Sequence, residues 1–473
     1  MNFMLSEVAS AVQGTVTPPG TEVGLTGVAL DSRLARPGDL FVALAGARVD
    51  GHEYAAQAAA GGARAVLGSR RPAGLPPDFP VLEVADPAGA LLRFAGEMKR
   101  RAGFRLAAIA GSVGKTTTKE FAAAILSRRF RVEKTPGNQN SAVGFPMSVV
   151  NLPRTPEWMV GEMGMSALGE VSRLSRTFEP DVAIVTRIAV EHLEFLGSLD
   201  AVAQANGEIL EGLKPQGVFV ANADDTRVAA LAARHPGRTL WFGLGGGADV
   251  TAEELAARDS GTSFRLKTPG GDSEVALPMP GLHQVGNFLA ASAVAVAAGA
   301  GVEDCAAAAP SLVPAAHRGE MLRHASGALL YDDAYNASPP SMRAALDTLK
   351  LLAGARKIAV LGDMLELGPE DRWWHRETGR YAVGRADRLV CVGPRAKEIA
   401  EGAAEAGFPA GAIESVDSPE RAAEALEGML VEGDTVLFKA SRGVGLDRAV
   451  ALLTKPGLGT RDSELEGKNG RAL

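Results

Sequence analysis

Leu106-Ala107-Ala108-Ile109-Ala110-Gly111-Ser112-Val113-Gly114-Lys115-Thr116-Thr117-Thr118 joins an apolar segment to a glycine turn and a Lys-Thr pair. Leu106 to Ala110 reads as a buried strand, and Lys119 to Ser127 reads as a helix. Strand, glycine turn, Lys-Thr and helix is the layout of a phosphate-binding loop. The glycines let the backbone N–H groups of residues 111 to 117 turn inward around phosphate oxygens, and the helix N-terminus adds a favourable dipole. In this reading Gly111, Ser112, Val113, Gly114, Lys115, Thr116 and Thr117 hold the phosphates. Lys115 reaches the outer ones and the Thr116 hydroxyl ligates Mg²⁺. The run departs from G-x-x-x-x-G-K-[ST], because Ile109 stands where the first glycine belongs and Gly111 follows two residues later. The plain alternative is a glycine-rich turn with a chance lysine. It requires strand, Gly-Lys-Thr and helix to coincide by accident.

Outward from the loop, the pattern is α/β throughout. Strands are expected at Asp39 to Leu44, Ala63 to Leu67 and Val81 to Val84, with helices at His52 to Ala60 and Ala88 to Lys99. After the loop come strands Trp158 to Glu162, Asp181 to Thr186, Gly217 to Asn222 and Thr239 to Phe242, alternating with helices as in a mostly parallel sheet. Asp249 to Leu277 changes to short alternating strands with Gly turns, a small antiparallel addition. Phe288 to Val302 is mostly Ala and Gly and reads as a tightly packed buried helix, the helix following the antiparallel addition being expected at Val285 to Ala298. From Leu312 a doubly wound unit is expected, with strands Ala328 to Tyr331, Lys357 to Leu361, Arg388 to Val392 and Thr435 to Phe438. The polar, Gly-rich tail reads as disordered. The resulting domains are 1–103, 104–310 and 311–455, followed by the tail 456–473.

Bulk composition bounds the function. At 473 residues the chain exceeds one ordinary core. It is 46% hydrophobic and 22% charged with a net charge of −7, which speaks against a nucleic-acid binder working through a general positive field. Cys305 and Cys391 make neither a disulfide framework nor a metal site, so a reduced, cytoplasmic setting is expected. The N-terminus shows no secretory signal. The longest apolar stretch falls short of a bilayer-spanning helix of ~20 residues, so no membrane insertion is expected.

Several runs follow expected strands, where open α/β sheets place ligands. Glu162 in Gly161-Glu162-Met163-Gly164 is a natural Mg²⁺ ligand beside a phosphate loop, or else an ordinary surface carboxylate. His192 in Glu191-His192-Leu193-Glu194 is a second metal candidate, with a structural histidine as the alternative. Gly137-Asn138-Gln139-Asn140-Ser141 and His283-Gln284-Val285-Gly286-Asn287 are explained equally by turn and cap roles. Asp332-Asp333-Ala334-Tyr335-Asn336-Ala337-Ser338-Pro339 and Leu361-Gly362-Asp363-Met364-Leu365-Glu366-Leu367-Gly368 are unusual for plain turns. Lys439-Ala440-Ser441-Arg442-Gly443 suits an anion or a solvated basic turn.

Taken together these runs resemble the Mur ligases, ATP-dependent amide-forming enzymes of peptidoglycan synthesis. The likeness extends to about Lys455. It includes Asp31-Ser32-Arg33, Gly38 to Leu44 and Asp50-Gly51-His52 in the first domain, and Arg318 in the last. Within the family, the Asp332–Pro339 and Leu361–Gly368 pair points to D-alanyl-D-alanine addition, and the DNPR string of the meso-diaminopimelate-adding relative is absent. The resemblance implies UDP-MurNAc-tripeptide and D-Ala-D-Ala as substrates, ATP and Mg²⁺ as cofactors, an acyl-phosphate intermediate, domains that close on ligands, and a monomer. It implies Lys115, Glu162 and His192 as catalytic, with Thr116, Glu162 and His192 on Mg²⁺. Asn287, Arg318, Asp333 and Asn336 fall to the nucleotide, and Ser32, Arg33, Asn138 and Asn140 to substrate.

Three positions depart from the family pattern. Asn206, in Gln204-Ala205-Asn206-Gly207-Glu208, stands where a lysine is usually carbamylated to bind a second Mg²⁺. Arg187 replaces a usual Asn, and would bring a positive charge to that site if it points inward. Ala110 replaces a usual Thr. Two alternatives therefore stay open: a weak or inactive Mur-like binding protein, and another P-loop enzyme such as a kinase or a folylpolyglutamate-type ligase.

Overall fold

The computed structural model describes residues 2–46, 49–258 and 261–455. The tail read as disordered, 456–473, lies outside the described residues. The chain divides into two compact units, the first ending at Val313 and the second starting at Pro314.

The first unit opens with a five-stranded sheet in the order Thr15–Thr17, Val81–Glu83, Ala65–Gly68, Asp39–Val42, Gly27–Ala29. Only the Thr15–Thr17 pairing is antiparallel. Asn151 reaches this sheet from beyond the phosphate loop, because its side chain accepts from Val28 N at 2.7 Å and donates to Val28 O at 2.9 Å. A six-stranded sheet comes next, in the order Arg238–Phe242, Val218–Asn222, Val182–Val185, Arg105–Ala110, Trp158–Glu162, Val132–Lys134, parallel throughout. Its central strands are continuous apolar runs because both faces are covered. The register sets Glu162 beside Ile109 and Val185 beside Ala110, so three strands end together where the glycine turn begins. The chain lays strands on one side of Arg105–Ala110 and then on the other. That reversal opens the crevice in which such sheets bind ligands.

The helix after the loop spans Lys115–Leu126, starting four residues earlier than its apolar pattern suggests. Gly114, at φ +86°, turns the chain straight into the first helical residue. Phe121, Ala122, Ile125 and Leu126 pack against the helix Leu282–Ala297 through Phe288, Ala291 and Val294. The helix expected at Val285 to Ala298 is present as Leu282–Ala297, but the whole Phe288–Val302 run is not one helix. It breaks at Gly299, φ +99°, and a second helix spans Val302–Ala308. Strands Thr251–Arg258, Gly261–Thr268 and Gly271–Leu277 form the antiparallel addition.

The second unit is a six-stranded sheet in the order Glu320–Arg323, Leu329–Asp332, Asp434–Lys439, Arg356–Gly362, Arg388–Val392, Ile413–Val416. The first pairing is antiparallel and the rest are parallel, around a core that includes Leu330, Val360, Val390 and Phe438. Cys305 and Cys391 are buried and unpaired. Among the described residues no helix is long and apolar enough to cross a membrane.

Candidate active site

Gly111 and Gly114 are glycines for two reasons at once. Both have positive φ, at +127° and +86°, and neither has room for a side chain. A Cβ at Gly111 would sit 2.1 Å from Thr186 Oγ1, and one at Gly114 would sit 2.4 Å from Asn287 Oδ1. The neighbours that crowd the loop also hold it. Ser112 N donates to Arg187 O at 2.6 Å, Thr186 Oγ1 donates to Val113 O at 2.7 Å, and Gly111 N donates to Asn206 Oδ1 at 2.7 Å. Lys115 Nζ folds back on the carbonyls of Gly111 and Ser112. Thr117 is buried in the first helical turn.

The Thr116 hydroxyl donates to Glu162 Oε2 at 2.8 Å, and Asn140 Nδ2 donates to Glu162 Oε1 at 2.8 Å. Glu162 is 3% exposed, which removes its reading as a surface carboxylate. Asn140 therefore contacts the carboxylate that orients toward the loop. Asn138 is exposed and makes a turn contact, its carbonyl accepting from Asn140 N at 2.8 Å. Lys119 explains the reach of this turn. Fully buried, its ammonium donates to Thr135 O and Gly137 O, both at 2.8 Å, and so pins the segment that presents Asn140. A buried hydroxyl and carboxylate in contact are a hard-oxygen set that fits Mg²⁺. The Ser112 hydroxyl, buried without a partner, adds a group able to meet a ligand.

His192 follows Glu191 on the loop after Val182–Val185, in the left-handed region at φ +50°. Its Nε2 lies 4.0 Å from Glu191 Oε2, and Lys115 Nζ lies 3.6 Å from the same oxygen. Glu191 thus links the lysine to the histidine. Two of the departures resolve differently from what the sequence pattern suggests. Arg187 is exposed and only its backbone carbonyl meets the loop. Asn206 is 1% exposed, its carbonyl taken by Gly111 N and its amide donating to Val202 O at 2.9 Å, so it clamps the loop. Asn287 reaches Gly114 from the helix Leu282–Ala297, and its amide donates to Gln284 Oε1 at 3.3 Å.

In the first domain, Ser32 is buried with Oγ donating to Gln57 Oε1 at 2.9 Å. Arg33 is 77% exposed and pairs with Asp31 at 2.6 Å, which draws the Asp31 carboxyl down to about 2. A free guanidinium face there suits a diphosphate.

In the second unit, the strand ends at Asp332, Gly362 and Lys439 bring three of the singled-out runs together. Asp332 is fully buried, and burial pushes its carboxyl up although His317 Nδ1 stands 2.7 Å from Oδ2. Asp333 is held by Lys439 Nζ at 2.5 Å, and the same ammonium donates to Asn336 O at 3.1 Å. Arg318 sits over the Tyr335 ring, its guanidinium carbon 3.9 Å from the centroid. Asp363 is also buried and pushed up, and accepts from Ala396 N at 2.7 Å. Lys439 and Lys119 carry structure that their local sequence does not advertise.

Three family models match in chain order. The Mur ligase family, catalytic domain, covers residues 24–91; the Mur ligase middle domain covers 109–295; and the Mur ligase, glutamate ligase domain covers 317–442. The UDP-N-acetylmuramoyl-tripeptide–D-alanyl-D-alanine ligase of Bacillus subtilis is 36% identical, over 94% of this chain and 97% of its own. The Escherichia coli enzyme of the same name is 35% identical, over 97% and 99%. Among solved structures, MurF from Acinetobacter baumannii superposes with a TM-score of 0.87 at 32% identity, covering 96% of this chain and 99% of that one. MurF ligase from Thermotoga maritima, in complex with ADP, gives 0.79 at 30% identity over 91% and 97%. Matched along nearly its whole length and in all three segments, the chain belongs to the Mur ligase family.

Proposed function

We infer that this chain is an ATP-dependent ligase of peptidoglycan synthesis that joins D-alanyl-D-alanine to UDP-MurNAc-tripeptide, releasing ADP and phosphate. The observation that carries the reading is the Thr116–Glu162 contact beside a crowded glycine loop, in a chain similar over its full length to ligases of that name.

A carboxylate is a poor electrophile. The terminal carboxylate of the tripeptide attacks the γ-phosphorus of ATP, its oxygen forms the new P–O bond, and ADP leaves. The D-Ala-D-Ala amine then attacks the acyl phosphate, loses a proton, and phosphate departs with the C–O bond electrons. Both steps gather negative charge on oxygens. Lys115 and the N–H groups of Val113 to Thr117 would stabilise that charge and orient the phosphates, while Gly111 and Ser112, their N–H groups held by Asn206 and Arg187, fix the shape of the loop. Thr116, Glu162 and His192 would hold Mg²⁺, which supplies charge neutralisation on the phosphates. Asn140 and Lys119 keep Glu162 aimed toward the loop. Asn287, Arg318, Asp333 and Asn336 are the proposed nucleotide contacts. Ser32 and Arg33 are proposed for the UDP end, within a substrate-binding region 1–103, with Asn138 and Asn140 on the tripeptide side. Region 104–310 would bind ATP and 311–455 would complete the ligase. A cytoplasmic setting accords with two buried, unpaired cysteines, and the monomer is proposed from the family resemblance alone.

The test is direct. Purified protein is incubated with ATP, UDP-MurNAc-tripeptide and D-Ala-D-Ala, and both ADP release and product mass are followed. Pentapeptide that requires all three substrates is expected. ADP binding without any product would make the chain a non-catalytic relative, and ADP release independent of the UDP-substrate would point to another phosphoryl transfer.

A further inference from the structure

Among the buried side-chain atoms with no hydrogen-bond partner are two at the phosphate loop, Ser112 Oγ and Glu191 Oε1. The hydroxyl is part of the loop itself. The carboxylate oxygen needs another explanation, because a charged acceptor left bare in the interior is costly. Glu191 is 15% exposed, and its second oxygen stands 3.6 Å from Lys115 Nζ and 4.0 Å from His192 Nε2. Neither separation is a hydrogen bond. The Glu191–His192 gap leaves room for an ion between two ligand atoms, whereas the Lys115 ammonium, which has no lone pair, lies beside the carboxylate as a counter-charge. Ligands about 2.0–2.1 Å from a Mg²⁺ ion lie roughly 3 Å apart when adjacent and roughly 4 Å apart when opposite. The Glu191–His192 spacing falls within that span.

The charges around the loop point the same way. Glu162 brings one negative charge, with both oxygens already met by Thr116 and Asn140. Asn206 is neutral, and its amide is engaged at both ends. Lys115 is positive. Among the described residues, Glu191 is a further carboxylate with ion-pair distances to this cluster. We propose that Glu191, together with His192, ligates a divalent cation next to the phosphate loop, and so supplies the anionic ligand that Asn206 does not. This rests on the nucleotide-and-cation reading above and assigns it a residue. The competing role is that of a counter-ion, in which Glu191 only steadies Lys115.

The two roles separate on metal binding rather than on turnover. Mn²⁺, visible by electron paramagnetic resonance, is titrated into the full chain with saturating ADP, for wild type, Glu191→Gln, Glu191→Asp and Glu162→Gln. ADP affinity is also measured in EDTA. Wild type is expected to take two Mn²⁺ per chain. Glu191→Gln should keep one and bind the other at least tenfold more weakly, while ADP affinity in EDTA shifts less than threefold. Glu191→Asp, which retains the charge on a shorter arm, should recover part of the loss, and it answers the question if the Gln variant does not fold. Wild-type Mn²⁺ affinity at both sites in Glu191→Gln, with altered metal-free ADP binding, overturns the proposal in favour of the counter-ion. Loss of one Mn²⁺ in Glu162→Gln alone, with Glu191→Gln unaffected, leaves the Thr116–Glu162 cation standing and rejects Glu191. No Mn²⁺ on wild type beyond that held by free ADP rejects both.

Discussion

Replacing Asn206 with alanine removes a side chain that is 1% exposed and bonded at both ends. The loss at Gly111 is the larger one. Its N–H has the Asn206 carbonyl as partner at 2.7 Å, and a buried donor left unpaired costs about 1–3 kcal/mol. Val202 O keeps its helical bond, so losing the amide donor costs about 0.5–1.5 kcal/mol. The total is roughly 1.5–4.5 kcal/mol. An unfolding entropy of about 2.1 cal/mol/K per residue, taken over the unit that ends at Val313, amounts to roughly 0.65 kcal/mol/K. The melting temperature of that unit should therefore fall by about 2–7 °C. Because the freed N–H opens the phosphate loop, ADP should also bind about three- to tenfold more weakly, or roughly 0.7–1.4 kcal/mol. Calorimetry gives both numbers. Asn206→Leu restores the volume without the hydrogen bonds and should behave like Asn206→Ala. If both variants melt within 1 °C of wild type and bind ADP with unchanged affinity, Asn206 does not hold the loop.

Lys115→Ala should leave circular dichroism and melting unchanged while lowering kcat by about 10²-fold or more, since a charge aimed at developing oxyanions is lost; pentapeptide formation at a comparable rate would exclude Lys115 from the phosphates. Arg33→Ala should raise the apparent KM for the UDP-substrate far more than that for ATP, as expected for an exposed guanidinium directed at a diphosphate; steady-state kinetics with each substrate varied decides it. Lys99 is 6% exposed, and burial, aided by Lys214, pushes its ammonium down to about 8. Below pH 8 both folded and unfolded chains carry this proton and the full burial penalty applies. Between about 8 and 10.5 the folded chain has released the proton that the unfolded chain still binds, so stability contributed by this group rises with pH. Lys99→Met should stabilise the protein by about 1–3 kcal/mol at pH 7, and the advantage should shrink toward pH 10 in denaturant titrations.

The parts of the fold legible in sequence are those where chemistry and pattern are local. Trp158 to Glu162 is buried along its whole length and bounded by Glu157 and Gly164, so its apolar run marks the strand. The short strands Thr15–Thr17, Val132–Lys134, Glu320–Arg323 and Ile413–Val416 carry no such run. Each lies at the edge of its sheet with partly exposed side chains, so polar residues interrupt the pattern. The start of the helix at Lys115 is obscured by three threonines whose burial comes from tertiary contacts rather than from an amphipathic stripe. At the candidate site, Lys115, Thr116 and Glu162 follow from the loop and its neighbouring strand. Lys119 and Thr186, and the direction taken by Asn206, do not. Their roles arise where segments more than 15 residues away in sequence meet at the ends of adjacent strands, and nothing in their own neighbourhoods encodes the encounter.

Alanine has no rotamers with which to absorb a displacement, and a close-packed interior yields little to compression. The helix Leu282–Ala297 shares one buried cluster with the phosphate-loop helix, in which Ala290, Ala291, Ala293 and Ala295 sit among larger apolar side chains, and Phe288 seats edge-on against Phe264, ring centroids 5.8 Å apart, in the antiparallel addition. The three pieces form a stiff train. Enlarging one of those alanines would find no free volume, so it would displace Lys115–Leu126 or the hairpin of Gly261–Thr268 and Gly271–Leu277.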